Sequence, residues 1–274
     1  MKEHMKYSVL MSVYCKEKAE NLTCAMQSIF AQTIKPEDFV LVCDGPLNES
    51  LDRVIEEMTV DHSELHVVRL TKNVGLGCAL NEGIKYCKND VVARMDSDDV
   101  SREDRCEKQL KVLLDNPQIS IVSGTVEEFS ESINVIDSRR TLPQNHDEII
   151  QFARRRNPFN HPCVMYKKSQ VEAAGGYKDF YLLEDYFLWI RMLQNGSVGY
   201  NIQEPLLWMR AGSEMYKRRA GRKYAKSQRN LFKYMMSTGF ISRKQYVENT
   251  IIRFGSSLAP NWLRKRLFKR YVRK

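Results

Sequence analysis

The chain has 274 residues, of which 43% are hydrophobic and 28% charged, and its formal net charge is +9. These values are typical of a globular protein with a buried core, and they exclude collagen-like, low-complexity and wholly disordered chains. No stretch approaches the roughly 18–20 consecutive apolar residues that a membrane-spanning helix needs. The length favours one large α/β domain with an appendage over several independent domains.

Two features of the sequence bear on the compartment. The apolar run at residues 7–15 follows Lys2 and Lys6, as in a short signal peptide, but it ends at Lys16 without a small-residue cleavage site. Its residues favour a strand. The seven cysteines are odd in number and none has Cys-x-x-Cys spacing, so we expect a reducing cytoplasm and no structural zinc site.

Strand-like and helix-like segments alternate over the first 123 residues. The predicted strands cover residues 8–13, 39–43, 66–70, 91–95 and 119–123. The predicted helices between them cover residues 21–32, 51–58, 76–86 and 103–114. Strands that are apolar on both faces and alternate with helices are typical of a parallel sheet wrapped by helices. The pattern therefore predicts a doubly wound, nucleotide-binding half.

Beyond residue 124 this alternation ends. We predict antiparallel strands at residues 125–129 and 133–137 and a helix at residues 146–156, and we interpret this half as an acceptor or lid region. Residues 210–274 carry 19 Lys and Arg against two acids, so the basic charge belongs to the C-terminal quarter. Such a block suits nucleic acid, an anionic membrane surface or a phosphorylated ligand, and composition does not choose among them.

Polar side chains follow each of the first four predicted strands. In doubly wound sheets ligands bind beyond the carboxyl ends of the strands, so these residues are expected to share one site. They are Tyr14 and Glu17 after the first strand, Asp44 after the second, Lys72 to Gly75 after the third, and Asp96-Ser97-Asp98-Asp99 after the fourth.

The acidic motif after the fourth strand allows two interpretations. Three carboxylates at a strand end can hold a hard divalent cation, which can complete its coordination with diphosphate oxygens. Alternatively, Ser101 and Asp104 form a capping box, and the acids stabilise a helix N-terminus. No Walker-type or Gly-x-Gly-x-x-Gly motif follows the first strand, so bound phosphates would need a metal for much of their neutralisation.

Two later motifs also allow two interpretations each. Glu184 and Asp185 begin a strongly apolar helix after a Gly175-Gly176 turn, where they either stabilise the helix N-terminus or supply a general base. His161 lies in a proline-containing loop at residues 157–162, where it is either a hydrogen-bonded loop residue or a ligand.

In combination and in this order, these motifs resemble the family 2 inverting glycosyltransferases, the bacterial group that builds capsule, exopolysaccharide and lipopolysaccharide. The resemblance covers about residues 6–210. It is carried by the strand at residues 8–14, Asp44, Asn73-Val74-Gly75, Asp96 with Asp98, His161-Pro162, and Glu184-Asp185 followed by Trp189. The sequence departs from the family at Cys43, where a second acid is usual, and at Ser12, where many members have proline.

The resemblance implies a GT-A fold, a nucleotide-sugar donor and Mg²⁺ or Mn²⁺. It implies Asp185 as the catalytic base, with Glu184 supporting the acceptor or the geometry of the base. The metal ligands implied are Asp98 and Asp96, to which we add His161 as a candidate. The residues implied in donor binding are Ser12, Tyr14, Glu17, Asp44, Lys72, Asn73, Gly75, Arg94, Asp96 and Ser97, with Asp44 at the uracil or ribose edge.

The expected protein is a metal-dependent, inverting hexosyl- or N-acetylhexosaminyltransferase of surface polysaccharide synthesis. Its donor would be UDP-linked and its acceptor a glycan or a polyprenyl-diphosphate-linked sugar, with no nucleic-acid partner. We expect a catalytic domain at residues 1–210, with a donor half at about 1–123 and an acceptor half at about 124–210. Residues 211–274 would form a basic helical region.

The end of this basic region, residues 260–274, predicts an amphipathic helix that either packs on the core or contacts an anionic membrane. We favour contact with the inner face of the cell membrane. Two alternatives remain. A basic nucleic-acid-binding protein would use aromatics such as Tyr224 and Tyr234 among its charges. A nucleotidyltransferase would be expected to carry a glycine-rich loop after the first strand, where residues 14–17 contain no glycine.

Overall fold

The computed structural model describes residues 5–211 and 221–258, with side chains as far as residue 253. Its first half alternates strands and helices. The strands are β1 (Ser8–Val13), β2 (Asp38–Cys43), β3 (Leu65–Arg69) and β4 (Val91–Asp96). The helices are α1 (Ala19–Phe30), α2 (Glu49–Asp61) and α3 (Leu76–Gly83), which continues into a 3-10 turn at Ile84–Tyr86. The strands are parallel in the order β3-β2-β1-β4, so the predicted doubly wound half is confirmed.

The second half extends this sheet through short and mixed strands. Its elements are β5 (Val100–Ser101), α4 (Arg105–Asp115), β6 (Ile119–Phe129), β7 (Ser138–Arg140), α5 (His146–Ala153), a 3-10 turn at His161–Cys163, β8 (Met165–Lys167), α6 (Lys168–Ala173), α7 (Glu184–Gln194) and β9 (Val198–Arg210). The sheet continues from β4 in the order β8-β6-β9-β5. Strand β8 is antiparallel to β4 and β6, whereas β9 is parallel to β6.

Strand β1 is buried on both faces of the sheet. Val9 and Met11 pack into a cluster with α1, α2 and α4, while Leu10 packs into the opposite cluster, which also contains Trp189 of α7. This two-sided burial explains why the strand shows no polar alternation in its sequence. It also fixes the carboxyl end of β1, where the site residues begin.

The structure corrects three predictions. Residues 119–123 and 125–129 form one continuous strand, β6. Gly124 lies within this strand, where a Cβ would lie only 2.5 Å from Leu206 Cδ1. Glycine at this position permits close packing with β9 and does not end the strand. Residues 133–137 form no strand, and Val135 is 66% exposed. The antiparallel partner of residues 126–128 of β6 is instead β7. The predicted helix at residues 146–156 ends earlier, at Ala153.

Two further helices, α8 (Gly221–Ser237) and α9 (Arg243–Leu258), pack on the second half. Leu231 and Phe232 of α8 are buried in the same cluster as Trp189. Asn249 of α9 donates a 2.8 Å hydrogen bond to the Arg154 carbonyl. Over residues 5–211 and 221–258, none of the helices has both the length and the apolar character to cross a membrane. The predicted helix at residues 260–274 lies outside the described residues.

Candidate active site

A cavity of about 1010 Å³ opens at the carboxyl edge of the parallel strands. Its lining includes the ends of β1, β2 and β4 and residues of α7, α8 and α9. It brings together most of the predicted site residues, namely Ser12, Tyr14, Glu17, Asp44, Asn73, Gly75, Asp96, Ser97, Asp98, His161, Glu184 and Asp185. Lys72 is exposed and Arg94 is fully buried, and neither lines the cavity.

Asp44 holds the turn that follows β3. Its Oδ1 accepts a 2.7 Å hydrogen bond from the Val74 amide, and its Oδ2 accepts a 3.0 Å bond from the Gly75 amide. Asn73 Nδ2 donates back to the Asp44 carbonyl at 3.2 Å. Gly45 has φ +89°, and a Cβ there would lie 2.6 Å from the Asn73 nitrogen. This part of the cavity lining is therefore held by Asp44, and contact of Asp44 with the base or ribose stays a prediction.

Glu17 joins the loop after β1 to the acidic motif after β4. Its Oε1 accepts hydrogen bonds from Asn21 Nδ2 and the Lys18 amide, both at 2.9 Å, and its Oε2 accepts a 3.2 Å bond from Ser97 Oγ. Ser12 and Asp96 lie side by side in the register of β1 and β4. Residues that are far apart in the chain thus form one continuous wall.

The side chains of Asp96, Asp98 and Asp99 form the acidic cluster of the site. Their candidate ligand atoms lie within 4.8 Å of one another, the one such group found over the described ranges. Asp99 Oδ1 accepts a 2.7 Å hydrogen bond from the Arg210 amide, while the buried Asp99 Oδ2 has no hydrogen-bond partner in the described part of the chain. The acidic motif allowed all three carboxylates to hold a cation, whereas the family resemblance implied only Asp96 and Asp98 as ligands.

Burial and mutual repulsion set the electrostatics of this cluster. Burial, with the nearby charges of Asp96 and Glu17, raises the pKa of Asp98 to about 7. Burial and the Asp98 charge raise the pKa of Asp99 as well. A divalent cation prefers carboxylate oxygens and would relieve this repulsion, so the residues present fit Mg²⁺ or Mn²⁺.

Arg94 and His161 lie beneath this cluster. The guanidinium of Arg94 forms an ion pair with Asp96, so Arg94 acts on the site through that carboxylate. His161 is outside the group of mutually close ligand atoms, and its Nε2 lies 3.0 Å from the Tyr177 hydroxyl. Burial, together with the Arg94 charge, holds the pKa of His161 well below its usual value, so the ring is neutral near pH 7. A metal contact by His161 stays a prediction.

Glu184 and Asp185 begin α7 and line the same cavity as the acidic cluster. Asp185 accepts a 2.5 Å hydrogen bond from Asn157 Nδ2 at one oxygen and a 2.6 Å bond from the Tyr186 amide at the other. Burial, and then the Asp185 charge, raises the pKa of Glu184 to about 7. Leu182, just before the helix, has φ 56°, a left-handed conformation that is costly for a residue with a side chain.

Sequence reasoning assigned no role to several residues of the cavity lining. Asn157 belongs to the proline-containing loop that we had singled out only for His161. Arg156 and Arg253 also line the cavity. Arg253 comes from a helix that packs against the loop only in the folded chain, so no local pattern marks it.

Comparisons with known proteins point to one family. The model for "Glycosyl transferase family 2" matches residues 8–172. An uncharacterized glycosyltransferase of Haemophilus influenzae is 40% identical, over 98% of this chain and 100% of that protein. The amylovoran biosynthesis glycosyltransferase AmsE of Erwinia amylovora is 39% identical, over 93% of this chain and 94% of its own. The UDP-Gal:alpha-D-GlcNAc-diphosphoundecaprenol beta-1,3-galactosyltransferase of Escherichia coli is 36% identical, over 98% and 97%.

Among solved structures, the chain is similar to residues 1–349 of S. aureus TarS in complex with UDP-GlcNAc. The TM-score is 0.68 at 16% sequence identity, over 98% of this chain and 76% of that one. A mannosyltransferase from Pyrobaculum calidifontis in complex with GDP-Man and Mn²⁺ gives 0.61 at 15% identity, over 98% and 82%. At these identities the likeness concerns the fold, and the predicted GT-A fold is confirmed.

Proposed function

Since the chain belongs to glycosyl transferase family 2, we propose that it catalyses a metal-dependent, inverting transfer of a sugar from a UDP-linked donor to a lipid-linked glycan. At the coarser level it is a glycosyltransferase of polysaccharide biosynthesis that uses a nucleotide sugar. One observation carries the finer proposal. The acidic cluster and Asp185 line the same cavity.

The donor half of this cavity suits a nucleoside diphosphate. The turn held by Asp44 and the hydrogen bond from Ser97 to Glu17 lie near the end of β1, where the nucleotide would lie. The choice of UDP is supported by the E. coli relative, whose name specifies UDP-Gal, and by the TarS complex with UDP-GlcNAc. Asp96, Asp98 and Asp99 would hold Mn²⁺ or Mg²⁺, which neutralises charge on the departing diphosphate when bound.

Asp185 is the general base of this proposal. Its carboxylate would take the proton of the attacking acceptor hydroxyl while the new bond from that oxygen to the anomeric carbon forms and the bond to the UDP oxygen breaks. Asn157 and the Tyr186 amide hold the carboxylate in place. A single displacement from the face opposite the leaving group inverts the anomeric centre.

The acceptor side supports a lipid-linked sugar at a membrane surface. The E. coli relative acts, by its name, on a sugar linked to undecaprenol through a diphosphate. Residues 221–258 carry eight Lys and Arg against one acid, Glu248. On α9, Val247, Ile251 and Ile252 are exposed. We therefore propose a catalytic domain at 1–210 that is followed in the sequence by a basic region at 211–274, and peripheral contact with an anionic membrane.

Hydrolysis of a panel of UDP-, GDP- and dTDP-sugars tests this function. We expect slow hydrolysis of one UDP-hexose or UDP-N-acetylhexosamine that depends on Mn²⁺ or Mg²⁺. The matched measurement is binding of a labelled oligonucleotide at rising salt, which the nucleic-acid alternative requires. Oligonucleotide binding without hydrolysis of any nucleotide sugar would contradict the proposal.

A further inference from the structure

Two arginines come together on the α7 side of the cavity. Arg156 follows α5 and Arg253 belongs to α9, and both line the cavity. Arg253 Nη2 donates a 2.9 Å hydrogen bond to the Arg155 carbonyl, one residue before Arg156. Asn249, one turn earlier on α9, donates to the Arg154 carbonyl. These two bonds hold α9 against the loop after α5 and thereby set the two guanidinium groups side by side.

The arginine pair adjoins Asp185, the base of the proposed function. Asn157, the residue after Arg156, carries the amide that holds Asp185 at 2.5 Å. Arg253 is close enough to Tyr186, which follows Asp185, for its positive charge to oppose the effect of burial on the pKa of that phenol. The Tyr186 hydroxyl donates in turn to the Ala153 carbonyl at 2.6 Å, at the end of α5.

The pairing of two like charges in a partly buried wall has an electrostatic cost. Burial lowers the pKa of Arg156, and the positive charge of Arg253 lowers it further. An anion between the two groups would reverse this cost. Guanidinium groups present several N–H donors in a rigid plane that matches phosphate oxygens, so the chemistry of the pair favours a phosphate group.

We propose that Arg156 and Arg253 bind the diphosphate that joins the acceptor sugar to its lipid. This inference rests on the proposed function, because it assigns the acceptor of that same site. The attacking hydroxyl and the diphosphate of such an acceptor sit on one sugar ring. A hydroxyl beside Asp185 therefore places the diphosphate next to the base, where the arginine pair lies. In the proposed function the donor diphosphate binds at the acidic cluster, so the two diphosphates would have separate sites.

Calorimetry on the full chain saturated with UDP and Mn²⁺ tests this site. The probe is a short-chain alkyl diphosphate without a sugar, which needs no knowledge of the acceptor sugar. We expect the wild type to bind it, and we expect R156Q and R253Q each to weaken binding about tenfold or more. R155Q is the matched control, because Arg155 is exposed, adjacent and not part of the cavity wall. It should bind as the wild type does.

Additional measurements distinguish failure of this proposal from misfolding of a variant or failure of the proposed donor. Binding of inorganic diphosphate more tightly than the alkyl diphosphate would overturn the lipid-linked assignment, as would equal binding by the wild type and both glutamine variants. Unchanged affinity for UDP shows that a variant is folded. If R156Q or R253Q also loses UDP binding, the lysine variant at that position is tested in its place. Lysine keeps the positive charge, so this variant should retain part of the affinity for the alkyl diphosphate. Failure of the wild type to bind UDP would contradict the proposed donor and not this site.

Discussion

The side-chain amide of Asn157 lies 2.5 Å from Asp185 Oδ2 and joins the loop after α5 to the first turn of α7. The other oxygen, Oδ1, accepts a hydrogen bond from the Tyr186 amide. Two donors therefore fix the plane of this carboxylate, which lines the same cavity as the acidic cluster. Each carboxylate oxygen can accept more than one hydrogen bond, so a substrate proton can still be received there.

Asp185→Asn should keep UDP and Mn²⁺ binding and lose sugar transfer, since it removes a proton acceptor and little else. A general base contributes about 10²–10⁴-fold, so we expect a decrease of that order in kcat. Asn157→Ala should lower kcat less, because the base remains and only its orientation is loosened. Calorimetry with UDP and Mn²⁺, together with a transfer assay, measures both effects. Near-normal transfer by Asp185→Asn would refute the base assignment.

Asp98→Ala should abolish metal-dependent turnover and also the stabilisation of the protein by Mn²⁺. A ligand at 100 times its Kd stabilises a folded protein by about 2.7 kcal/mol, which thermal unfolding detects without any activity assay. The metal-free variant should be at least as stable as the wild type, because one of three repelling carboxylates is gone. Asp61→Ala, at an exposed acid on α2, is the control. A full Mn²⁺ shift in Asp98→Ala would show that Asp98 is not a ligand.

The parallel half of the fold was predictable because each element depends on local pattern. Strand β1 lies at the predicted residues, and its two-sided burial shows as an apolar run. Strand β9 was not predicted, because it is defined by pairing with β6 and includes polar residues and Pro205. The continuity of β6 through Gly124 was also missed, because the close packing of Gly124 on Leu206 cannot be known before β9 is placed.

In the site, too, the residues marked by local sequence were predictable, whereas contacts between distant segments were not. Side chains at the strand ends, such as Glu17 and Asp96, were predictable because the carboxyl ends of parallel strands share one edge. The burial of Arg94 was not, since an arginine within an apolar strand gives no sign of its partner in sequence. The role of Asn157 was also missed, because its hydrogen bond depends on how two distant segments pack.

The stability of the protein should depend on pH through Glu184. Its pKa is raised from 4.5 to about 7 in the folded state, so the folded protein holds this proton more tightly than the unfolded chain. Stability from this group is therefore lost as the pH rises from about 4.5 to 7, by at most about 3 kcal/mol, at about 1.4 kcal/mol per pKa unit. Glu184→Gln should remove the effect and become progressively more stable than the wild type over this range.

Urea unfolding of the wild type and Glu184→Gln at several pH values checks this prediction. Glu49→Gln is a suitable control, because Glu49 also begins a helix but is exposed. Its difference from the wild type should change little with pH. A stability difference between Glu184→Gln and the wild type that is constant from pH 4.5 to 7 would argue against the raised pKa.

The outer surface of α9 should contribute to membrane binding. Ile251 and Ile252 are 67% and 65% exposed, and basic residues surround them in the sequence of residues 221–258. Each Lys or Arg near an anionic surface adds about 1 kcal/mol, and insertion of exposed isoleucines adds an apolar contribution. The protein should therefore bind anionic vesicles at low salt and dissociate at high salt, because salt screens the charges.

Replacement of both isoleucines by serine should weaken co-sedimentation with these vesicles, while Val60→Ser, at an 85% exposed valine on α2, should not. Equal sedimentation of the double-serine variant and the wild type would show that α9 is not the contact surface, and equal binding to neutral vesicles would exclude the electrostatic contribution.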